Sequence, residues 1–94
     1  MKSETKTGLY FAIQILSSPS KADMTSNEFK SHTDVIEIHS DGRYRYFLYP
    51  HSNPKYTNTY LKDAKNEFPD AFPAAIEKGK VISYDEGRNK YSNK

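Results

Sequence analysis

The chain has no cysteine, no apolar run near the ~20 residues of a membrane span, and almost no net charge. Without cysteine there is no disulfide, no thiolate nucleophile and no zinc-thiolate site, and the absence fits any redox compartment. Fourteen basic residues against twelve acidic ones give +2, and the lysines are scattered, so the basic face of a duplex-DNA binder is missing. Large aliphatics are scarce too, at four Leu, six Ile, two Val and five Phe in 94 residues. That fraction alone suggests disorder, but disorder usually needs a high net charge as well, and the apolar residues cluster in short blocks. The expectation is one small folded domain with a lean core and loose ends.

The blocks set the organisation. Residues 1–8, MKSETKTG, are polar and lack the hydrophobic region of a signal peptide, as in a piece excised from a longer protein whose Met1 merely starts translation. Leu9 to Leu16 alternates like a strand, with Gln14 set between Ile13 and Ile15. Ser17 to Asp34 is rich in Ser, Thr, Asp and Asn, which compete for backbone groups. It is expected to be mostly irregular, with one turn near Ser26 to Phe29 and Phe29 or Met24 plugging the core. VIEIH, a DG turn and RYRYFLY make a hairpin. A three-residue loop Ser40-Asp41-Gly42 is preferred over a two-residue DG turn. It pairs Ile38 with Tyr44, Glu37 with Arg45 and Ile36 with Tyr46, leaving Glu37, Arg45, Phe47 and Tyr49 on the opposite face.

Asn53 is an N-cap candidate with Pro54 at the first helical position. Tyr56, Tyr60, Leu61, Ala64 and Phe68 recur at helical spacing until Pro69, which predicts a helix over 54–67. DAFPAAI reads as a last strand, and Pro73 places it at a sheet edge. KG at 78–79 is a turn, KVIS a short extended piece, and residues 85–94 a flexible polar tail that closes a domain spanning 9–84. The order is βαββαβ, an α+β, ferredoxin-like (RNP-like) four-stranded antiparallel sheet with one face under helix and a short or absent first helix. The expected core is Phe11, Ile13, Ile15, Ile36, Ile38, Tyr46, Leu48, Leu61, Ala64, Phe68 and Phe72.

Enzyme signatures are missing. There is no HExxH, no GxSxG and no glycine-rich phosphate loop, and His32, His39 and His51 sit in or beside predicted loops. Asp34, Asp41, Asp63 and Asp70 read as caps or solubilising charges. No catalysis, metal or cofactor is expected of this chain. The informative feature is the open sheet face, where Tyr10, Gln14, Arg45, Phe47 and Tyr49 would form an aromatic and amide patch with one cation. The bland reading is strand formers half-covered by a loop or the tail. The functional reading is a platform for flat ligands, either unpaired bases or sugar rings. Bases are weakly signalled, because RYRYFLYP lacks the glycine positions of an RNP1 motif and YFAIQI is a poor RNP2. A protein-interaction face is the third class.

On three stretches the chain resembles the sporulation-related repeat, or SPOR, domains of bacterial cell-envelope proteins. YFAIQILSS is similar to the family's opening Y-x-V-Q-[VIL]-G-S, with Gln14 in the signature place. DGRYRYFLYP is similar to its third strand, [LY]-[YF]-[RK]-V-x-[VL]-G, with Arg45 at the basic position, and FPDAFPAAI is similar to its close. Leu16 and Tyr49 stand where the family has glycines, and its Ala-rich first helix is missing. The likeness runs from Leu9 to about Ser83 and is nearest the C-terminal SPOR-like segment of some N-acetylmuramoyl-L-alanine amidases. It implies a monomeric, non-catalytic module of the periplasm or cell envelope that binds peptidoglycan glycan strands stripped of stem peptides, with no membrane insertion. In that role Tyr10, Phe47 and Tyr49 would cover sugar faces, Gln14 would meet an acetamide and Arg45 a muramic carboxylate. The structural alternative has Gln14 bridging to Glu37 or Arg45 across the sheet.

Overall fold

The computed structural model describes residues 8–21, 32 and 35–92. Among them lie five strands and two helices, an α+β arrangement. The strands are β1 (Leu9–Ser18), β2 (Ile36–Ser40), β3 (Arg43–His51), β4 (Phe72–Glu77) and β5 (Lys80–Ile82). The helices are α1 (Thr57–Glu67), entered through a 3-10 turn (Pro54–Tyr56), and α2 (Tyr84–Ser92). The sheet is antiparallel throughout, in the order β2-β3-β1-β4-β5, and it curls until its two outer strands, β2 and β5, touch. No helix among the described residues is long and apolar enough to cross a membrane. Expectations for residues 1–7 and for most of 17–34, the turn near Ser26 to Phe29 included, lie outside the described residues.

The start of α1 follows its sequence signals. The Asn53 side chain accepts a hydrogen bond from the Lys55 amide at 3.0 Å, Pro54 opens the 3-10 turn, and the chain leaves the helix at Phe68, just before Pro69. Ala64 packs with Ile13 and Ala71, and Ile15, Tyr49, Tyr60, Leu61 and Phe68 complete that cluster.

Three expectations are corrected. The hairpin turns on two residues, Asp41 at φ 56° and Gly42 at φ 78°, so Ser40 pairs with Arg43, Ile38 with Arg45 and Ile36 with Phe47. A turn with both central residues left-handed matches the twist of the flanking strands, which is why it prevails over the bulged loop. The shorter turn moves Ile36 and Ile38 onto the face of Arg45 and Phe47, and Glu37 onto that of Tyr46, whose hydroxyl donates to Glu37 Oε2 at 2.7 Å.

The second correction is that β4 is not an edge strand over its whole length. β5 pairs with it at Ala75, Ile76 and Glu77 but stops short of Pro73. The proline rule therefore holds locally: at Pro73 the strand is paired only with β1, through Ile13.

Third, the polar tail is a helix through residue 92. Ser83 Oγ accepts from the Glu86 amide at 3.0 Å, Asp85 and Glu86 occupy the first turn and Lys90 the last. The buried Gly87 lets this helix lie against β1 and β4. Tyr84 and Tyr91 meet the Phe11 ring edge-on at 5.7 and 6.0 Å.

Of the expected core, Phe11, Ile13, Ile38, Tyr46, Leu48 and Ala64 are buried, whereas Ile15, Ile36, Leu61 and Phe68 are partly buried. Phe72 is 50% exposed, because it sits at the end of β4 beyond the reach of β5.

His51 links β3 to α1. Its Nδ1 meets the Tyr49 carbonyl at 2.7 Å and its Nε2 the Thr57 hydroxyl at 2.7 Å. A carbonyl only accepts, so Nδ1 carries the proton and the neutral ring's Nε2 accepts from Thr57. Burial pushes the His51 pKa below its ordinary 6.5, against a smaller raising effect of the Tyr49 carbonyl. The folded form thus binds its proton less readily than the unfolded chain. The stabilisation is complete above pH 6.5 and declines as the pH falls through 6.5 toward the folded pKa. Urea midpoints should accordingly drop between pH 7.5 and pH 5.5, and His51→Asn should remove most of that slope. An equal slope in the variant would assign it to other groups.

Candidate functional site

The face turned away from the helices is concave, and its middle is filled. Ala12, Ile38, Phe47, Ala74 and Ile76 form a buried cluster there, with Tyr10, Ile36 and Val81 packed on it. The curl brings β2 and β5 together over these residues, so Phe47 is 0% exposed. What was expected as an open platform is a closed middle with a hollow at each end. One hollow, about 480 Å³, is lined by Tyr10, Ile36, Pro50, His51 and Ser52. The other, also about 480 Å³, is a trough across the far end of the sheet. Gln14 and Ser17 of β1, Arg45 of β3, Asp41 of the hairpin turn, Phe72 of β4 and Ser83 after β5 line it.

Two bulges place these side chains. One residue separates Phe11 from Ile13, but two separate their partners His51 and Leu48, so β3 carries one extra residue at Tyr49 and Pro50. Tyr49 takes φ 57° there, and its ring stacks on Tyr60 of α1 at 5.3 Å and 12°. The second bulge is in β1 between Gln14 and Leu16, opposite Phe47 and Tyr46. It keeps Gln14 opposite Phe47 and lets Ser17 stand opposite Arg45, so both face the trough.

Gln14 is the most informative of these groups. It is only 8% exposed, and the described residues offer its amide no hydrogen bond. Among the described residues every fully buried side-chain nitrogen or oxygen has a partner, so the accessible part of Gln14 includes the amide that lines the trough. Arg45 makes no ion pair among the described residues. Glu37, its once-expected neighbour, lies on the other face, bound by Tyr46 and by Lys21 at 2.5 Å. Those hydrogen bonds, Lys21's first, hold the Glu37 carboxyl below its ordinary pKa. The bridge from Gln14 to Glu37 is therefore not formed.

Of the five residues singled out from sequence, Gln14 and Arg45 come together in the trough. Tyr10 lines the opposite hollow, Phe47 is core, and Tyr49 lies under the sheet against α1. Sequence reasoning missed Ser17, Ser83 and above all Phe72, which it assigned to the core. The signal for Phe72 was its place just before Pro73, where no outer strand can pair fully. The trough offers an amide, a guanidinium, a carboxylate, hydroxyls and a half-exposed ring, a set suited to a neutral or weakly acidic polyhydroxyl ligand. Among the described residues no group of three His, Asp or Glu side chains could hold a metal ion. No family model, curated protein or solved structure matches the chain.

Proposed function

We propose that this chain is a glycan-binding module without catalytic chemistry, whose ligand is the peptidoglycan strand stripped of its stem peptides and whose site is the trough at the end of β1, β3 and β4. The observation that carries the reading is Gln14, an amide held in an apolar strand, almost buried, with no hydrogen bond from the described residues and facing a ligand-sized hollow beside Arg45. An acetamide on a sugar ring supplies the donor and acceptor that such an amide lacks, and a lactyl carboxylate suits a guanidinium. Phe72 replaces Phe47 and Tyr49 as the ring against a sugar face. The left-handed Tyr49, at φ 57°, fits the place where the resembled family carries glycine. The order β2-β3-β1-β4 is compatible with a ferredoxin-like βαββαβ unit extended by β5 and α2. The parent protein would be a cell-wall amidase of the periplasm or envelope.

Pull-down with intact sacculi, before and after amidase treatment, tests this. Binding should rise with amidase treatment. Arg45→Gln should weaken it at least about tenfold, because a charge-assisted hydrogen bond contributes about 1.5–3 kcal/mol. Its melting temperature should stay near the wild type's, since Arg45 has no ion pair to lose within the described residues. Gln14→Met keeps the packing and removes the amide, and should weaken binding too. Unchanged sacculus binding by a folded Arg45→Gln, Gln14→Met double variant would remove the trough from consideration. Preference for single-stranded oligonucleotides, with a steep loss in salt, would replace the reading with nucleic-acid binding.

A further inference from the structure

A second concavity lies on the helical side. Between the 3-10 turn ahead of α1 and the body of α2 is a cleft of about 500 Å³, lined by Lys55, Asn58, Tyr84, Arg88, Tyr91 and Ser92, among others. No acidic side chain lines it among the described residues. Neither Lys55 nor Arg88 takes part in an ion pair there, whereas Lys90, on the same helix, is paired with Glu77 at 3.4 Å. Both free cations are nonetheless near aromatic rings. The Arg88 guanidinium carbon is 5.7 Å from the Tyr84 ring centroid, and the Lys55 ammonium is 5.2 Å from that of Tyr56. Tyr84 in turn donates its hydroxyl to the Pro54 carbonyl at 3.2 Å, which ties one wall of the cleft to the other. Two cations and an amide around a hollow that no described carboxylate lines are the donor set an anion receptor needs.

We propose that this cleft is a second binding site, for the carboxylate of an acidic sugar, and that it continues the trough. Tyr84 lines both hollows, so one extended ligand can run from Gln14 and Arg45 past Tyr84 to Arg88 and Lys55. A polymer with a carboxylate on every second ring can present one to each end of that path. The continuity rests on the glycan reading above; the anion site itself does not. Phosphate shares the chemistry that would bind here, and the experiment separates the two.

The test is an NMR titration of the whole chain with N-acetylmuramic acid, N-acetylglucosamine and inorganic phosphate, one at a time. N-acetylmuramic acid should shift the Asn58 side-chain amide, the Arg88 Nε–H and the backbone amides of 84–92, and uncharged N-acetylglucosamine should leave them in place. Lys55→Gln, Arg88→Gln together should weaken that response at least tenfold, while Arg45→Gln leaves it intact. The same double variant should bind stripped sacculi several-fold more weakly and with a flatter salt dependence. Cleft shifts with N-acetylmuramic acid in a chain that ignores sacculi would uphold the anion site and overturn the glycan reading. Sacculus binding with no cleft response, or with a response unchanged in the double variant, would overturn the anion site alone. A response to phosphate only would overturn the carboxylate assignment.

Discussion

Gly87→Ala is expected to destabilise the domain, although alanine is the better helix former by about 1 kcal/mol. A methyl group at Gly87 would lie far inside van der Waals distance of the Ala75 methyl and 3.0 Å from Phe11 Cε1. Neither neighbour is the loose end of a flexible side chain. Ala75 Cβ is fixed to the β4 backbone, and Phe11 is fully buried between His51, Tyr84 and Tyr91. The helix must therefore move off the sheet. Overpacking of this kind costs about 1–3 kcal/mol, enough to outweigh the helical gain in most of that range. Gly87→Val should cost more, since a branched side chain adds bulk and brings less helix propensity. Urea melts would measure both, and the test of mechanism is repair. Ala75→Gly should cost stability in the wild type but recover part of the loss in Gly87→Ala. A more stable Gly87→Ala would mean that α2 is not seated by close backbone approach.

Phe47→Ala should be the more damaging change, at about 3–5 kcal/mol. A 94-residue domain holds only on the order of 5–15 kcal/mol in total, so much of the population would unfold. Phe47 is the largest side chain of the cluster that closes the concave face, and no water reaches it. Phe72→Ala makes the contrast: its ring is half in solvent, so thermal melts should barely register the loss while sacculus binding falls. If the two variants melted alike, the sheet would be open over Phe47 in solution, and the platform expected from sequence would return.

Much of the architecture is written locally. Asn53-Pro54 and the spacing of Tyr60, Leu61 and Ala64 define α1, Lys78-Gly79 define a two-residue turn, and Gln14 and Arg45 stand out as polar groups in apolar strands. The misplacements of Ile36, Glu37, Ile38 and Tyr49 share one physical cause, whereas Phe47 keeps its face and is closed in by the curl, and Phe72 loses its cover where β5 stops. Strand residues are assigned to faces by parity, and parity is reset by every extra or missing residue. The shortened hairpin turn resets β2, and the bulge at Tyr49 and Pro50 resets the end of β3, so Gln14 and Arg45 share a face but Tyr49 does not. β1 is apolar on both sides, yet its faces are legible: Phe11 and Ile13 pack under the helices, as expected, and Ala12 and Gln14 lie on the other face. Polar composition alone reads residues 85–94 as a tail, although Ser83-x-x-Glu86 is a capping signal and a glycine such as Gly87 costs a helix only about 1 kcal/mol. That glycine is required by a contact with Phe11 and Ala75, far away in the chain.

Pro73 has a consequence for what the sheet can join. An incompletely paired strand rim that bears an exposed aromatic is ordinarily a template on which another chain can add itself, the first step toward aggregation. Beyond the end of β5, where β4 lacks an outer partner, the position next to Phe72 is a ring nitrogen with no hydrogen to give. An incoming strand would find its ladder broken at the first rung. Phe72 can thus stay in the open, as the proposed glycan site requires, without making the same rim adhesive to a neighbouring copy.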